Sequence, residues 1–371
     1  MIYALARRKL VQPGIGALIL AIALACTRPA VPPPASSASA TAAAGAPATA
    51  TPGAARATPP ASSLTTVQVG VPAGLFEPLY PRAAKDAGIY ARSGLDLELV
   101  EVPGGDTVIA RGVISGGFLV GRQGTQGVLS ADAQGSDLVM VASPQNRLAA
   151  IFAALEGFDT LQSLYDHPVA SNGPGGFLTS ITDAIYRAKG LDSSRLVYVN
   201  TGTSVQSLGA LIAKKVDASL VNLTELPIVT RSGTPIVALA HTAEDIPNFL
   251  RVVLTVRRSA MDDQGDLLRR FFVAHSRAYR WALSNREAVV RAAVEYQKRE
   301  RADAEANFDL LFKPGLMTPD LSFSEEQIDY MQNLSLAEGG QKEILPFDRV
   351  ADLRYVQAIA AELGPYTFPE Q

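Results

Sequence analysis

The feature that most constrains this chain is an alternation of element types that runs twice. Short apolar or period-two runs trade places with amphipathic segments, first over residues 66–142 and again over 148–239. That order sandwiches strands between helices and predicts an α/β fold with mostly parallel sheets. In the first stretch, residues 66–71 alternate and break at Pro72-Ala73-Gly74, and a helix over 78–87 stops at Gly88. Residues 95–100 alternate apolar and acidic side chains with period two, the signature of a half-buried strand. A helix over 107–114, a weak strand over 118–121, a helix over 126–133 and a strand over 138–142 complete the first half.

The second half repeats the scheme. An apolar run over 148–154 precedes a short helix at 161–164 and a strand at 168–171. The glycine-rich turn Gly173-Pro174-Gly175-Gly176 opens a helix through Lys189 that Gly190 ends. After a strand at 196–199, Thr203-Ser204-Val205-Gln206 reads as a capping box, in which Thr203 and Gln206 satisfy each other's orphan amides. Strands at 216–221 and 235–239 flank a helix at 224–231, and 251–256 is strand-like again. From there the chain is mostly helical. Leu267, Leu268, Phe271, Phe272, His275, Ala278 and Trp281 fall on one helical face, read as core packing with His275 in a structural role.

Ahead of this lies a segment of another kind. Arg7, Arg8 and Lys9 precede an apolar run at 15–25, about ten residues long, which fits a signal peptide and is too short for a bilayer span. It ends in Ala23-Leu24-Ala25-Cys26, and Cys26 is the only cysteine in the chain. The following residues are almost all Ala, Pro, Ser, Thr and Gly, too poor in apolar surface to offset their ordering entropy. An extended spacer of this kind, at ~3 Å per residue, reaches on the order of 100 Å. The expected organisation is a signal peptide at 1–25, a lipid-anchored disordered linker at 26–64, a first lobe from 65–147 and 250–371, and a second lobe from 148–249.

Composition excludes several classes. The formal net charge of −3, without a basic block, argues against nucleic-acid binding. With its single cysteine at the processing site, the mature chain has no disulfide and no cysteine-based metal site. His167, His241 and His275 lack metal-ligand spacing. No cofactor is expected.

Several stretches resemble a known family. Pro78-Leu79-Tyr80, then Gly88-Ile89-Tyr90 and Gly94-Leu95-Asp96-Leu97-Glu98-Leu99-Val100, are similar to the opening helix, turn and strand of the type II periplasmic substrate-binding proteins of ABC importers. Gln134-Gly135-Ser136-Asp137 resembles their approach to the lobe crossover, and Ala210-Leu211 through Val216-Asp217-Ala218 a second conserved stretch. Ala23 to Cys26 resembles a bacterial lipobox, although Ala23 stands where that family prefers leucine. The stretch Ser115-Gly116-Gly117-Phe118-Leu119-Val120 departs from the family, which has a Gly-x-Val-Asp there. The branch most resembled serves sulfonates, taurine, nitrate and thiamine-pyrimidine precursors. The resemblance implies two hinged lobes, a small-molecule solute, permease partners, an envelope location outside the cytoplasmic membrane and a monomer. It implies no enzyme. The alternatives are a membrane-tethered sensor on the same fold and, less favoured, a thiamine-pyrimidine enzyme, whose cysteine-rich iron site this chain lacks.

Ligands of open α/β sheets bind beyond the carboxyl ends of the strands. That rule selects Phe76 as an aromatic wall, Glu77, the loop Gln123-Gly124-Thr125, and Asn146 at the crossover. In the second half it selects Asn172, Gly173, Gly176, Thr179, Ser180 and Asn222. The glycine turn leading to Thr179 and Ser180 at a helix start suits a sulfonate, phosphonate or carboxylate. Glu77 either faces the cleft, favouring a donor-rich group, or serves as a first-turn carboxylate. Arg122 and Arg147 are candidate counter-charges. No nucleophile and base stand in catalytic spacing.

If Cys26 carries the lipid, Cys26→Ser moves the chain from the membrane fraction to the soluble envelope fraction; retention on membranes would refute the anchor.

Overall fold

In the computed structural model, which describes residues 64–368 apart from 104, 174, 175, 314 and 315, the alternating leucine-acid run lies beside the first strand. Residues 1–63, which hold the expected signal peptide, Cys26 and nearly all of the expected linker, lie outside the described residues. β1 (Thr65–Pro72) and β2 (Leu95–Val102) pair in parallel along their whole lengths, Thr65 opposite Leu95 through Pro72 opposite Val102. The helix between them, α1 (Leu79–Asp86), sinks Leu79, Tyr80, Ala83 and Ala84 into the core. Gly88, at φ 73°, turns the chain out of it, a conformation glycine adopts without a Cβ clash. α2 (Asp106–Ser115), β3 (Val120–Gly124), α3 (Thr125–Ala133) and β4 (Leu138–Ala142) follow. β3 starts two residues later than the sequence suggests. The Phe118 ring is packed over Gly70, where a Cβ would come within 2.7 Å of it, so Phe118 closes the α2–β3 turn instead of joining the ladder.

The second lobe contains β5 (Ala150–Leu155), β6 (Pro168–Ser171), α4 (Phe177–Ala188), β7 (Val197–Asn200), α5 (Ser204–Ile212), β8 (Ala218–Asn222), α6 (Leu226–Ser232), β9 (Ile236–His241) and α7 (Thr242–Asp245). β10 (Val252–Arg257) then returns to the first lobe. The strand orders are β2-β1-β3-β10-β4 and β7-β6-β8-β5-β9. The two are one pattern, with β6 to β9 standing where β1 to β4 stand and β5 where β10 stands. Both inserted strands run antiparallel to their neighbours, β10 to β3 and β4, β5 to β8 and β9. Four of the five strands in each sheet run parallel, as expected, and the one inserted strand makes each sheet mixed. The chain leaves β4 and β9 at their carboxyl ends and crosses at that level, so the next strand must run back.

After β10 come α8 (Arg258–Asp263), α9 (Gly265–Leu283), α10 (Arg286–Gln297), α11 (Arg301–Leu311), α12 (Glu325–Ala337), α13 (Phe347–Val350) and α14 (Arg354–Leu363). One apolar cluster joins the first sheet to α1, α9, α10 and α14. Another lies beneath α5 on the second sheet. The third spans both lobes: Met140 and Leu129 of the first share it with Phe152 and Leu178 of the second and with Phe323, Ile328 and Met331. No described helix is long and apolar enough to cross a membrane.

The α9 stripe packs as its spacing predicts. Leu268, Phe271, Phe272 and Ala278 are fully buried, with Leu267 and Trp281 at the edge of the same cluster. His275 Nδ1 lies 2.6 Å from the Tyr90 hydroxyl, and the ring packs against Phe271 and Tyr279. Burial pushes the His275 pKa down to about 3. A histidine depressed on folding is neutral in the native state and takes its proton first in the unfolded chain. Its contribution is present above the unfolded value near 6.5 and is lost as pH falls toward 3. Urea unfolding of wild type and His275→Phe across that window should show a steeper acid loss in wild type, by up to about 1.4 kcal/mol per pH unit. Parallel pH profiles would refute the assignment.

Candidate functional site

Both crossovers and the carboxyl ends of β1, β3 and β8 converge on one cleft of ≈ 540 Å³. The β1–α1 loop lines it with Leu75, Phe76 and Glu77, and β3 with Arg122. Across the cleft stand Phe177 at the start of α4, Val205 at the start of α5, Asn222 at the end of β8, and Glu225 and Ile228 beyond it. Arg147 comes from the first crossover and Arg251 from the second; Arg299 and Leu311 come from the C-terminal helices.

The floor is an ion pair. Arg122 Nε donates to Glu77 Oε2 at 2.5 Å, with Arg122 7 % and Glu77 3 % exposed. Burial raises the Glu77 pKa, and the adjacent guanidinium works against that rise. Among the described residues the terminal NH2 groups of Arg122 and the second Glu77 oxygen have no protein partner, which leaves a donor and an acceptor side by side at the base of the cleft. Glu77 thus faces the cleft floor instead of capping α1, whose first turn holds no acid.

Arg147 is exposed on the cleft wall and has no ion-pair or hydrogen-bond partner among the described residues. Arg251 stacks on the Phe177 ring at 4.3 Å and lies 3.7 Å from Asp106. Burial holds its pKa below the usual arginine range; Asp106 opposes this and nearby Arg122 adds to it. Asp106 is itself engaged by the Gly124 amide at 2.9 Å. Arg299 lies 5.7 Å over the Phe76 ring and donates to the Gly74 carbonyl at 3.0 Å, pinning the β1–α1 loop. Glu225 takes both the Asn222 amide and its carboxamide, at 3.0 and 2.9 Å, so its charge is turned back on its own loop. Four arginines therefore face two glutamates that each already hold a partner. The rest of the lining is largely apolar, with Gln145, Ser204, Asn222 and Thr224 among it, and Leu75, Val205 and Ile228 are among the most exposed large hydrophobic side chains of the described residues.

Of the residues selected from sequence, Phe76, Glu77, Asn222 and the two candidate counter-charges Arg122 and Arg147 line this cleft. The others serve the frame around it. Gln123 is buried and donates to Thr255 Oγ1 at 2.5 Å, fastening β3 to β10. Gly124 lies where a Cβ would collide with the Arg251 guanidinium, so its missing side chain makes room for that arginine. Thr125 is buried at the start of α3. Asn146 turns away to Thr318, Ser322 and Gln327. In the glycine turn, Asn172 Oδ1 accepts from the Leu178 amide at 3.0 Å, and a Cβ at Gly176 would strike that carboxamide. Thr179 donates to the carbonyl of Gly173, itself at φ 90°, and Ser180 is fully buried. That turn caps its own helix and sends Phe177 into the cleft. Arg251 and Arg299 were missed: Arg251 reads as the first residue of a strand, and Arg299 arrives from a helix pair far along the chain. Among the described residues no cluster of His, Cys, Asp or Glu is suited to a metal.

The pattern of a family described as NMT1/THI5 like matches residues 76–289, more than half of the chain. The chain belongs to the NMT1/THI5-like family. No curated protein matches it by sequence. Among solved structures, the aliphatic sulphonate-binding protein SsuA of Escherichia coli superposes with a TM-score of 0.64 at 16% identity, covering 77% of this chain and 92% of that one. The alkanesulfonate-binding SsuA of Xanthomonas axonopodis pv. citri, bound to MOPS, gives 0.60 at 17%, covering 80% and 100%. The ligand-binding component of an ABC-type import system from Staphylococcus aureus gives 0.63 at 13%, covering 79% and 98%. These likenesses show the fold: this NMT1/THI5-like chain has the two-lobed architecture of type II periplasmic binding proteins.

Removing one partner of the floor pair strands the other charge. Glu77→Leu should cost about 3–5 kcal/mol in urea unfolding, and Glu77→Leu with Arg122→Met should recover much of it. Equal loss in the single and double variants would show that the pair is not coupled.

Proposed function

We propose that the protein is an extracytoplasmic solute-binding lipoprotein that captures a small organic anion between its lobes and delivers it to an ABC permease. The observation that carries this reading is the delivery of Arg147 and Arg251, one from each crossover, to a cleft that also presents a broad apolar wall. Charge-assisted donors suit a sulfonate or carboxylate head. Leu75, Phe76, Phe177, Val205 and Ile228 suit an attached carbon body, which bare nitrate lacks. The second Glu77 oxygen offers an acceptor for an N–H on the same ligand, a feature that keeps pyrimidine-like solutes in the comparison. Residues 65–147 and 250–371 act as one lobe and 148–249 as the other, and closure is favoured by as much as the ligand prefers the closed form. No bond is broken. A lipid on Cys26 and the spacer behind it hold the monomer at the outer face of the cytoplasmic membrane.

Thermal-shift screening of the fragment from Leu64 onward against alkane- and arylsulfonates, carboxylates, nitrate and aminopyrimidines tests the reading. A ligand at a hundred times its Kd adds about 2.7 kcal/mol of stability. Organic anions should stabilise most. Arg147→Ala with Arg251→Ala should weaken such a hit at least tenfold, about 1.4 kcal/mol or more, while Thr179→Ala should leave it unchanged. Stabilisation by neutral pyrimidines alone, indifferent to both arginines, would overturn the anion assignment.

A further inference from the structure

The last part of the chain lies beyond the family-matched residues, which end at 289, and it touches the moving parts of both lobes. We propose that this segment governs lobe closure, as a strap across the hinge and a latch at the edge of the cleft.

The strap is residues 316–327. Hinged lobes rotate by changing the backbone angles of a few crossover residues. Here the first crossover is hydrogen-bonded along its length to one later segment. The Ser143 amide donates to the Leu321 carbonyl at 2.8 Å, and the Thr318 amide to the Pro144 carbonyl at 2.8 Å. The Asn146 amide donates to Thr318 Oγ1 at 3.1 Å and its carboxamide to the Ser322 carbonyl at 3.3 Å, while Gln327 Nε2 donates to the Asn146 carbonyl at 2.7 Å. The second crossover joins the same helix start, Asn248 Nδ2 donating to Glu326 Oε1 at 2.8 Å. Both connections between the lobes are thus bonded to the entrance of α12.

Packing fixes the strap in place. Phe323, Ile328 and Met331 are buried in the apolar cluster that also holds Leu148 of the first crossover and Phe249 and Leu250 of the second. Leu321 has φ 54°, a left-handed conformation that disfavours a branched side chain, yet it is fully buried. Its carbonyl is the acceptor for Ser143. At the far end of α12, Glu338 accepts from Gln126 of α3 in the first lobe at 3.2 Å and has Ser180 of α4 in the second lobe beside it. The helix therefore touches both lobes at both of its ends.

The latch lies at the cleft edge. α11 packs against residues 223–225 of the second lobe, and Asp303 of α11 forms an ion pair with Arg231 of α6. Arg231 is half exposed, so the pair adds a modest, salt-screened preference for the lobes being together. Rotation that opens the cleft must part this pair and shear the strap's bonds to the crossovers.

Interlobe distances in the ligand-free full chain test this. Cys26 is the only cysteine, so a Cys26→Ser background carrying Arg111→Cys on α2 and Lys215→Cys before β8 gives two unique spin-label sites, one on each lobe. Dipolar distance distributions should broaden in Asn146→Ala with Gln327→Ala. They should shift in Asp303→Ala, and the exchange of Arg231→Asp with Asp303→Arg should restore the wild-type distribution. Hydrogen exchange at residues 143–149 and 246–251 should speed up in the strap variant while the strands keep their protection. Unchanged distributions and unchanged crossover exchange in folded variants would overturn the proposal. The measurement uses no ligand, so its failure is separate from failure of the solute screen.

Discussion

β10 lies between β3 and β4, and the rest of the molecule is arranged around that insertion. A strand that comes back from the other lobe must run against its neighbours, and it must start at the level where the chain crossed. The same geometry in the second sheet puts the start of β5 beside the end of β8, Ala150 opposite Asn222. Both crossovers are thereby held at the carboxyl ends of the parallel strands, where loops and helix starts already gather. Two arginines that are remote in sequence meet in one cleft because the connections carrying them have no other place to run.

The electrostatics of that cleft follow from burial more than from the number of charges. Arg122 and Glu77 are nearly inaccessible, and neither would be tolerated there alone. Paired, they form a neutral base that still offers an unspent donor and acceptor. Arg147 and Arg251 stand higher, in partial contact with water, where charge is cheaper to keep and is available to an anion. Phe177 and Phe76 each carry a guanidinium on one face, so the aromatic walls orient the arginines as well as presenting apolar surface.

What the sequence disclosed and what it hid divide along the range of the interactions. The capping box at Thr203 and Gln206 is present as read, because three residues of local chain determine it. The α9 stripe, the β1–β2 pair and the loops at the strand ends were likewise legible from periodicity and turn residues. The orientation of Glu77 was not: it depends on the register that places Arg122 across from it. The glycine turn before α4 looked like an anion cradle. In the structure Asn172 occupies the Leu178 amide from within the turn, a contact that turn composition alone does not reveal. Arg299 and the strap at 316–327 were out of reach, because their partners lie in loops and crossovers far earlier in the chain and no periodic pattern links them.

The inserted strand also orders events during synthesis. All five strands of the second sheet lie between Ala150 and His241, whereas the first sheet still awaits Val252–Arg257 after its other four strands have emerged. The lobe encoded later is therefore the first whose sheet can be complete. Until β10 arrives, β3 and β4 each present an open edge, the kind of exposed ladder that invites mispairing. A truncation before residue 252 would leave the second sheet with all five strands and the first without the strand that joins β3 to β4.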